Sequence, residues 1–482
     1  MDRRQFVKAA AVTAAALTPA RSQTPLRKMI GIQMPVGPLV EQGVDAVLDH
    51  LQQAAHVNTL FVNIFTYVRE RVSVKTAQFH GGNYATVHPQ YYKDALLRPQ
   101  DMRAPEFGDL DVLAVLLPAA RKRGMKTYCW IIEDNVRANI PNLELLWEKD
   151  LYGRVPPRHP AGPCLNNPHY RAFVRGLLQD YCRSYEIDGI MWGAERQGPL
   201  GNSLGAFHNG GRTDPGRVTC FCEFCEQKAR RMGINFERTK AGFRALETYV
   251  RAGRAGQRPP DGYYVAFWRI LLEYPEILAW ETFWTGSLRE IYQLIFEQVK
   301  SIRKELPVGW HIWHNASFHP IYRAEQDFAR MAPYSDYIKP VLYNNCAGER
   351  MASYIASVTQ NIHGDLTRPE LLEFEYRVMN YGNEASYDRL GAAGLSADYV
   401  YRETKRTVDA VAATHTPVWP GIDIDVPTGA GHSKCTPSSV REAVQAAFRG
   451  GAEGVLLSRN FAEMKPENLR AAGEAIEQLG FV

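Results

Sequence analysis

The stretch Tyr185-Glu186-Ile187-Asp188-Gly189-Ile190-Met191-Trp192-Gly193-Ala194-Glu195 decides the fold. A helical apolar pattern over Tyr170–Tyr185 feeds a short apolar run that ends in a carboxylate, which is half of a βα unit. The same alternation recurs along the chain. Strands are predicted at Lys28–Pro35, Thr59–Tyr67, Lys126–Asp134, Asp188–Glu195, Val308–Asn315, Asp336–Asn345, Pro417–Asp425 and Gly451–Asn460. Helices are predicted at Leu39–Ala55, Leu110–Arg123, Tyr170–Tyr185, Gly286–Leu306, Ala397–Thr414, Pro437–Gly450 and Pro466–Leu479. Eight strands alternating with helices predict an α/β fold, a (β/α)8 TIM barrel over residues 28–482. An open doubly wound sheet would carry a Gly-rich phosphate turn after its first strand, and Gly31-Ile32-Gln33-Met34-Pro35 is not one.

Composition agrees with one large globular unit. Of 482 residues, 45% are hydrophobic and 22% charged, which excludes a disordered chain. The net charge of +4, from 56 basic and 52 acidic residues, gives no electrostatic basis for a nucleic-acid partner. The amino terminus is set aside from the fold. Arg3-Arg4-Gln5-Phe6-Val7-Lys8 is followed by an Ala-rich apolar stretch to Leu17 and a small-residue site at Thr18-Pro19-Ala20. This pattern reads as a twin-arginine signal peptide over residues 1–20. It predicts a periplasmic or secreted protein with no membrane association once the signal is removed. Three intervals between strands are expanded with chemistry-rich sequence. Residues 196–307 are expected as an insertion capping the catalytic face. Residues 68–107 are expected as a binding loop, and residues 347–395 as a further expansion.

In TIM barrels the strand C-termini line the active site. Alternation along a strand puts Met191, Gly193 and Glu195 on one face, and Asp423 with Asp425 on another. It likewise groups His311, Trp313 and Asn315, and Lys339, Val341, Tyr343 and Asn345. Lys339 and Arg459 are each able to pair a carboxylate. The result is a ring of carboxylates, amides and aromatics. Glycoside hydrolysis needs two carboxylates flanking the scissile bond. Glu195 is the expected acid/base, and Asp423 or Asp425 the expected partner across the mouth. Asn63, Tyr67, Asp134, Trp192, His311, Trp313, Asn315, Tyr343 and Asn460 are the expected substrate-binding residues. Trp192, Gly193 and Ala194 offer Glu195 little to stabilise its anion, so it is expected to act as a protonated acid. Two other classes fit the same ring: a carbohydrate-binding barrel without catalysis, and a metal-dependent barrel enzyme using His and Asp. No organic cofactor is indicated.

Cys220-x-Cys222-x-x-Cys225 is the specific cysteine signal. Three thiolates so close suit a tetrahedral structural zinc, which takes four N or S ligands. Cys182 and His208 are candidates for a fourth. A disulfide within the loop with one spare thiol, or free thiols, are the alternatives.

Leu165-Asn166-Asn167-Pro168-His169-Tyr170-Arg171, leading into Tyr185-Glu186-Ile187-Asp188-Gly189-Ile190, resembles a segment of many bacterial barrel-type glycosyl hydrolases. Cys220-Phe221-Cys222-Glu223-Phe224-Cys225, after a fourth-strand Glu, is similar to glycoside hydrolase family 42, the β-galactosidases, and its relatives. The resemblance implies a carbohydrate substrate, the acid/base role for Glu195, and Cys164 as the fourth zinc ligand. The chain departs from the family at Ala194, where the family has Asn, and on strand seven, where it offers Asp423 and Asp425 in place of Glu. A shorter carboxylate leaves room for a water, the inverting geometry.

Overall fold

The computed structural model describes residues 28–65, 71–74, 77–80, 83–97, 109–133, 142–156, 162–206 and 213–482. The signal segment 1–20, Tyr67, Asp134 and His208 lie outside the described residues. Eight strands form the barrel: β1 (Met29–Pro35), β2 (Thr59–Phe65), β3 (Lys126–Glu133), β4 (Gly189–Ala194), β5 (Val308–Ile312), β6 (Tyr337–Leu342), β7 (Gly421–Asp423) and β8 (Gly454–Ser458). Each pairs in parallel with its sequence neighbours, and β8 closes on β1. The barrel helices include α1 (Val44–Ala55), α2 (Val112–Lys122), α3 (Pro168–Ser184), α4 (Glu276–Ile302), α5 (Asn344–Val358), α6 (Ala397–Ala410), α7 (Pro437–Arg449) and α8 (Pro466–Gln478). No described helix is long and apolar enough to cross a membrane.

Inward-facing side chains fill the barrel in layers, as closure at eight strands requires. The lower layer holds Phe61, Tyr128, Met191, Tyr337 and Leu456, with Trp419 stacked on Tyr337 at 4.1 Å. Glycines make room for these rings. A Cβ at Gly189 would stand 2.2 Å from Tyr128, and one at Gly309 2.4 Å from Tyr337. Above the aromatic layer the inward positions turn polar: Gln33 on β1, His311 on β5, Lys339 on β6 and Ser458 on β8, all buried. That change of layer is what creates a site.

Two expected helices and two expected strands differ from the observed ones. The helix expected over 39–55 is split, because Gly43 takes φ +88°, a left-handed value that ends Gly37–Glu41 and starts α1. The helix expected over 286–306 starts ten residues earlier, as the 27-residue α4. Gly286 costs it about 1 kcal/mol of helix propensity. A buried stripe of Ile277, Trp280, Phe283, Trp284, Leu288, Ile291 and Ile295 outweighs that cost. The strands expected to reach Asn315 and Asn345 stop at Ile312 and Leu342, where a 3-10 turn (His314–Ser317) and α5 begin. The alternation that grouped Trp313 and Asn315 with His311 therefore ends before them.

Candidate active site

Glu195 follows the last residue of β4 with its side chain 35% exposed. Its Oε1 lies 3.2 Å from His311 Nε2, and His311 Nδ1 lies 3.1 Å from Lys339 Nζ. Lys339 Nζ also donates to Gln33 Oε1 at 2.8 Å and to Tyr343 Oη at 3.3 Å. Ser458 Oγ donates to the same Gln33 oxygen at 2.5 Å. Glu195 thus has hydrogen-bonding company that its own strand does not show. Burial pulls the His311 pKa down to about 4, and the Lys339 charge adds to that. The imidazole is therefore neutral at pH 7. Burial likewise pulls the Lys339 ammonium well below its ordinary range, with Glu195 opposing. Two glycines are needed for this packing. A Cβ at Gly193 would stand 2.8 Å from His311 Cβ, and one at Gly421 2.4 Å from Lys339 Cε.

Trp130 stacks on His311 at 6.0 Å and 30°, and its indole Nε1 is buried without a partner. Asn63 is 9% exposed, with Oδ1 also unpartnered. Both lie on the inward parity of their strands, shared with Phe61 and Tyr128. A flat ring and two unsatisfied polar atoms, joined to an accessible carboxylate through His311, are what a polar, ring-shaped ligand would use. Trp130 was not among the expected residues, although its parity with Tyr128 was there to be read. Gln33 was missed in the same way.

The strand-seven carboxylates are occupied by the protein itself. Asp423 is fully buried and accepts from Cys346 N (3.2 Å), Val426 N (3.0 Å) and Cys435 Sγ (3.2 Å). Asp425 sits at φ +59° and accepts from Lys465 N (2.8 Å) and Asn468 Nδ2 (2.9 Å) at the start of α8. Asp425→Ala should cost about 1–2 kcal/mol of stability, the scale of a lost helix-terminal carboxylate. Denaturant unfolding measures that cost, and an unchanged midpoint would remove this capping role.

The other expected residues divide. Tyr343 joins the Lys339 cluster. Asn315 is buried and donates from Nδ2 to Gln197 Oε1 at 3.0 Å. Trp313 is 5% exposed and packs edge-on to Tyr322. Asn460 caps the turn Phe461–Glu463 by accepting from Ala462 N at 3.0 Å. Trp192 is a correction. It has the opposite parity to Met191, and it is buried between barrel and helices against Tyr292 (5.2 Å) and Trp310 (6.5 Å), away from the mouth.

The loop after Glu195 is held at two points. Arg196 is 2% exposed, bonds Glu133 at the end of β3, donates to Pro163 O at 2.7 Å, and lies 3.5 Å from Glu148. Glu148 accepts from Thr219 Oγ1 at 2.9 Å. Further on, Gly198 N donates to Glu325 Oε2 (2.9 Å) and Leu200 N to Glu281 Oε2 (2.7 Å). Burial pushes Glu281 up to about 7, and burial together with Glu281 pushes Glu325 higher. Between the ordinary 4.5 and about 7, the folded chain binds protons there that the unfolded chain releases. This contribution to stability is complete below pH 4.5 and is lost as pH rises through 7. Wild-type Tm should therefore fall more between pH 5 and 8 than that of Glu281→Gln, measured by calorimetry. Parallel slopes would show that Glu281 takes up no proton on folding in this range.

Pro163 and Thr219 flank the cysteine cluster. Cys164, Cys220, Cys222 and Cys225 converge with all four sulfurs within 4.8 Å, each buried. Cys164 Sγ lies 3.4 Å from Cys222 Sγ and 3.6 Å from Cys225 Sγ. A tetrahedron of Zn–S bonds near 2.3 Å has edges of about 3.8 Å, so the donor set fits a four-thiolate metal. Asn166 Nδ2 donates to Cys225 Sγ at 3.3 Å, the kind of outer contact that orients a ligand. Cys222 immediately precedes the helix Glu223–Arg231, which carries Cys225 in its first turn. All eight cysteines are free in the structure, and the four sulfurs of the cluster stand at the spacing of ligands around one centre. Cys182 is buried elsewhere, in α3.

No family model matches the chain, and no curated protein sequence does. Solved structures match by shape. The chain is similar to a β-galactosidase from the Antarctic haloarchaeon Halorubrum lacusprofundi, with 14% identity and a TM-score of 0.52 over 93% of this chain and 58% of that one. It is also similar to α-L-fucosidase isoenzyme 2 from Paenibacillus thiaminolyticus, with 13% identity and a TM-score of 0.48 over 94% and 49%. A variant of the family 42 β-galactosidase from G. stearothermophilus gives 10% identity and 0.49 over 95% and 57%. The chain spans about half to three-fifths of the length of these proteins. At these identities the likeness is one of fold: the chain is a (β/α)8 barrel of the kind glycoside hydrolases use.

Proposed function

We propose that the protein is a glycoside hydrolase in which Glu195 is the carboxylate that moves the proton at the glycosidic oxygen. The observation that carries this reading is Glu195 at the mouth of a closed barrel, accessible, and bonded to His311, on which the Trp130 ring stacks, with Asn63 and its unpartnered Oδ1 in register with Trp130 on the neighbouring strand. The apolar face of a pyranose fits an indole, and its hydroxyls fit the amide. Glycosidases that are similar in fold support the substrate class. A purified-protein screen against aryl glycosides tests the reading. Turnover that vanishes in Glu195→Gln supports it, and no turnover on any sugar overturns it.

The second carboxylate is assigned by substitution. Asp423→Asn that abolishes turnover without lowering Tm makes Asp423 the partner, whereas loss of both makes it a support for the β7 turn. Because the oxygens of Asp423 and Asp425 already accept protein hydrogen bonds, a barrel that binds sugars without cleaving them is the second reading. Sugar binding by calorimetry with no turnover would select it. The four cysteines are proposed to hold a structural zinc, closed to substrate because four protein ligands leave no open position. Export through the twin-arginine route is proposed from Arg3 and Arg4, and it is tested by fractionating cells carrying the full chain and an Arg3→Lys, Arg4→Lys variant.

A further inference from the structure

The chain of hydrogen bonds behind Glu195 admits two proton arrangements of equal net charge. In the first, Lys339 is an ammonium with three acceptors around it: Gln33 Oε1 at 2.8 Å, His311 Nδ1 at 3.1 Å and Tyr343 Oη at 3.3 Å. His311 then accepts at Nδ1, carries its proton on Nε2, and donates to an ionised Glu195 at 3.2 Å. In the second, Lys339 is a neutral amine whose lone pair accepts from Nδ1–H. The bare Nε2 then accepts from a protonated Glu195, and the amine keeps two N–H bonds for Gln33 and Tyr343.

We propose that Glu195, His311 and Lys339 form a proton relay in which Lys339 is the buried end that stores the proton Glu195 uses. This rests on the reading of Glu195 as the proton-transfer carboxylate. Passing from the first arrangement to the second breaks one N–H bond on Lys339 and forms Nδ1–H on His311. It also breaks Nε2–H on His311 and forms O–H on Glu195. The imidazole is neutral at both ends and only exchanges tautomer. No net charge appears in the barrel, so the low dielectric does not oppose the exchange as it would oppose an imidazolium.

The surroundings favour such a balance. Burial keeps the imidazole neutral, with a pKa of about 4, and draws the lysine well below its ordinary range. A fully buried ammonium in a purely structural place would be costly to retain. The other groups facing the relay are Trp130, stacked on His311, and Ser458, bonded to Gln33. Tyr343 lies within the fields of Arg350 and Arg459, and its hydroxyl is held neutral by burial. Glu195 meets solvent at its outer side, whereas Lys339 is 0% exposed, so a proton on Lys339 reaches Glu195 by way of His311.

The test reads His311 directly, on full-length protein with 15N-histidine. The ring-nitrogen shifts in wild type, Lys339→Met and Glu195→Gln report tautomer and protonation. In Lys339→Met the ring should settle on Nε2–H, and its protonation midpoint should rise above that of wild type, since a neighbouring cation is gone and Glu195 remains. Unchanged tautomer and titration in a folded Lys339→Met overturn the relay. Should that variant not fold, Lys339→Gln, which keeps an N–H toward Nδ1, should show the same fixed tautomer, and exchange as in wild type overturns the proposal. On a glycoside that wild type cleaves, Lys339→Met should lower kcat about 10-fold or more with KM within about threefold, and should displace one limb of the pH profile. Unchanged kcat and profile also overturn it. Coupled NMR shifts with no glycoside cleaved would leave the relay standing and remove the glycosidase reading.

Discussion

Glu195→Gln should lower turnover on a natural glycoside by at least about 10²-fold, the scale of general acid–base catalysis. The amide keeps the shape of the side chain and can still meet His311 Nε2, at 3.2 Å in the wild type. What it loses is the titrating proton, so the effect isolates chemistry from packing. Tm should move little, because the side chain is 35% exposed and the amide has the same size and shape. The loss should shrink for aryl glycosides with acidic leaving groups, which depart without protonation. Steady-state kinetics across a leaving-group series measures this. Near-full activity of Glu195→Gln on a natural glycoside would place the acid elsewhere.

The second large effect should come from the cysteine cluster. Elemental analysis of protein folded with zinc present should find about one zinc per chain. Its removal, or Cys222→Ser, should lower Tm by roughly 10 °C, since several kcal/mol of ligand binding is folding free energy and a large domain shifts about 2–4 °C per kcal/mol. The loss should also reach the active site in part. Pro163, next to Cys164, accepts from Arg196 at 2.7 Å, and Thr219, next to Cys220, donates to Glu148 beside the same guanidinium at 2.9 Å. Loosening the cluster frees the residue after Glu195. The drop in kcat should therefore be real but smaller than that of Glu195→Gln. Metal-free protein with unchanged Tm would deny the cluster its structural role.

Much of this was legible in the chain. Eight short apolar runs alternating with helical patterns specify strands and helices locally, because side-chain periodicity follows directly from backbone geometry. Parity along β4 already separated Glu195 from Trp192, and parity along β1 and β3 would have placed Gln33 and Trp130 inside. The sequence by itself also determined that Cys220, Cys222 and Cys225 lie within six residues of chain, which makes a shared ligand a local matter. What only the tertiary structure decided is what meets across the barrel. His311 and Lys339 come from strands far from Glu195 in sequence, and their contact depends on closure and on the glycines at 193 and 421 that let them approach. The fates of Asp423 and Asp425 were hidden for the same reason. Their partners are a backbone amide of Cys346 and the start of α8, and no spacing along the chain shows which carboxylate a distant N–H will occupy. Local periodicity fixes elements, whereas hydrogen-bond partners are fixed by packing between elements, and only the closed barrel brings those together.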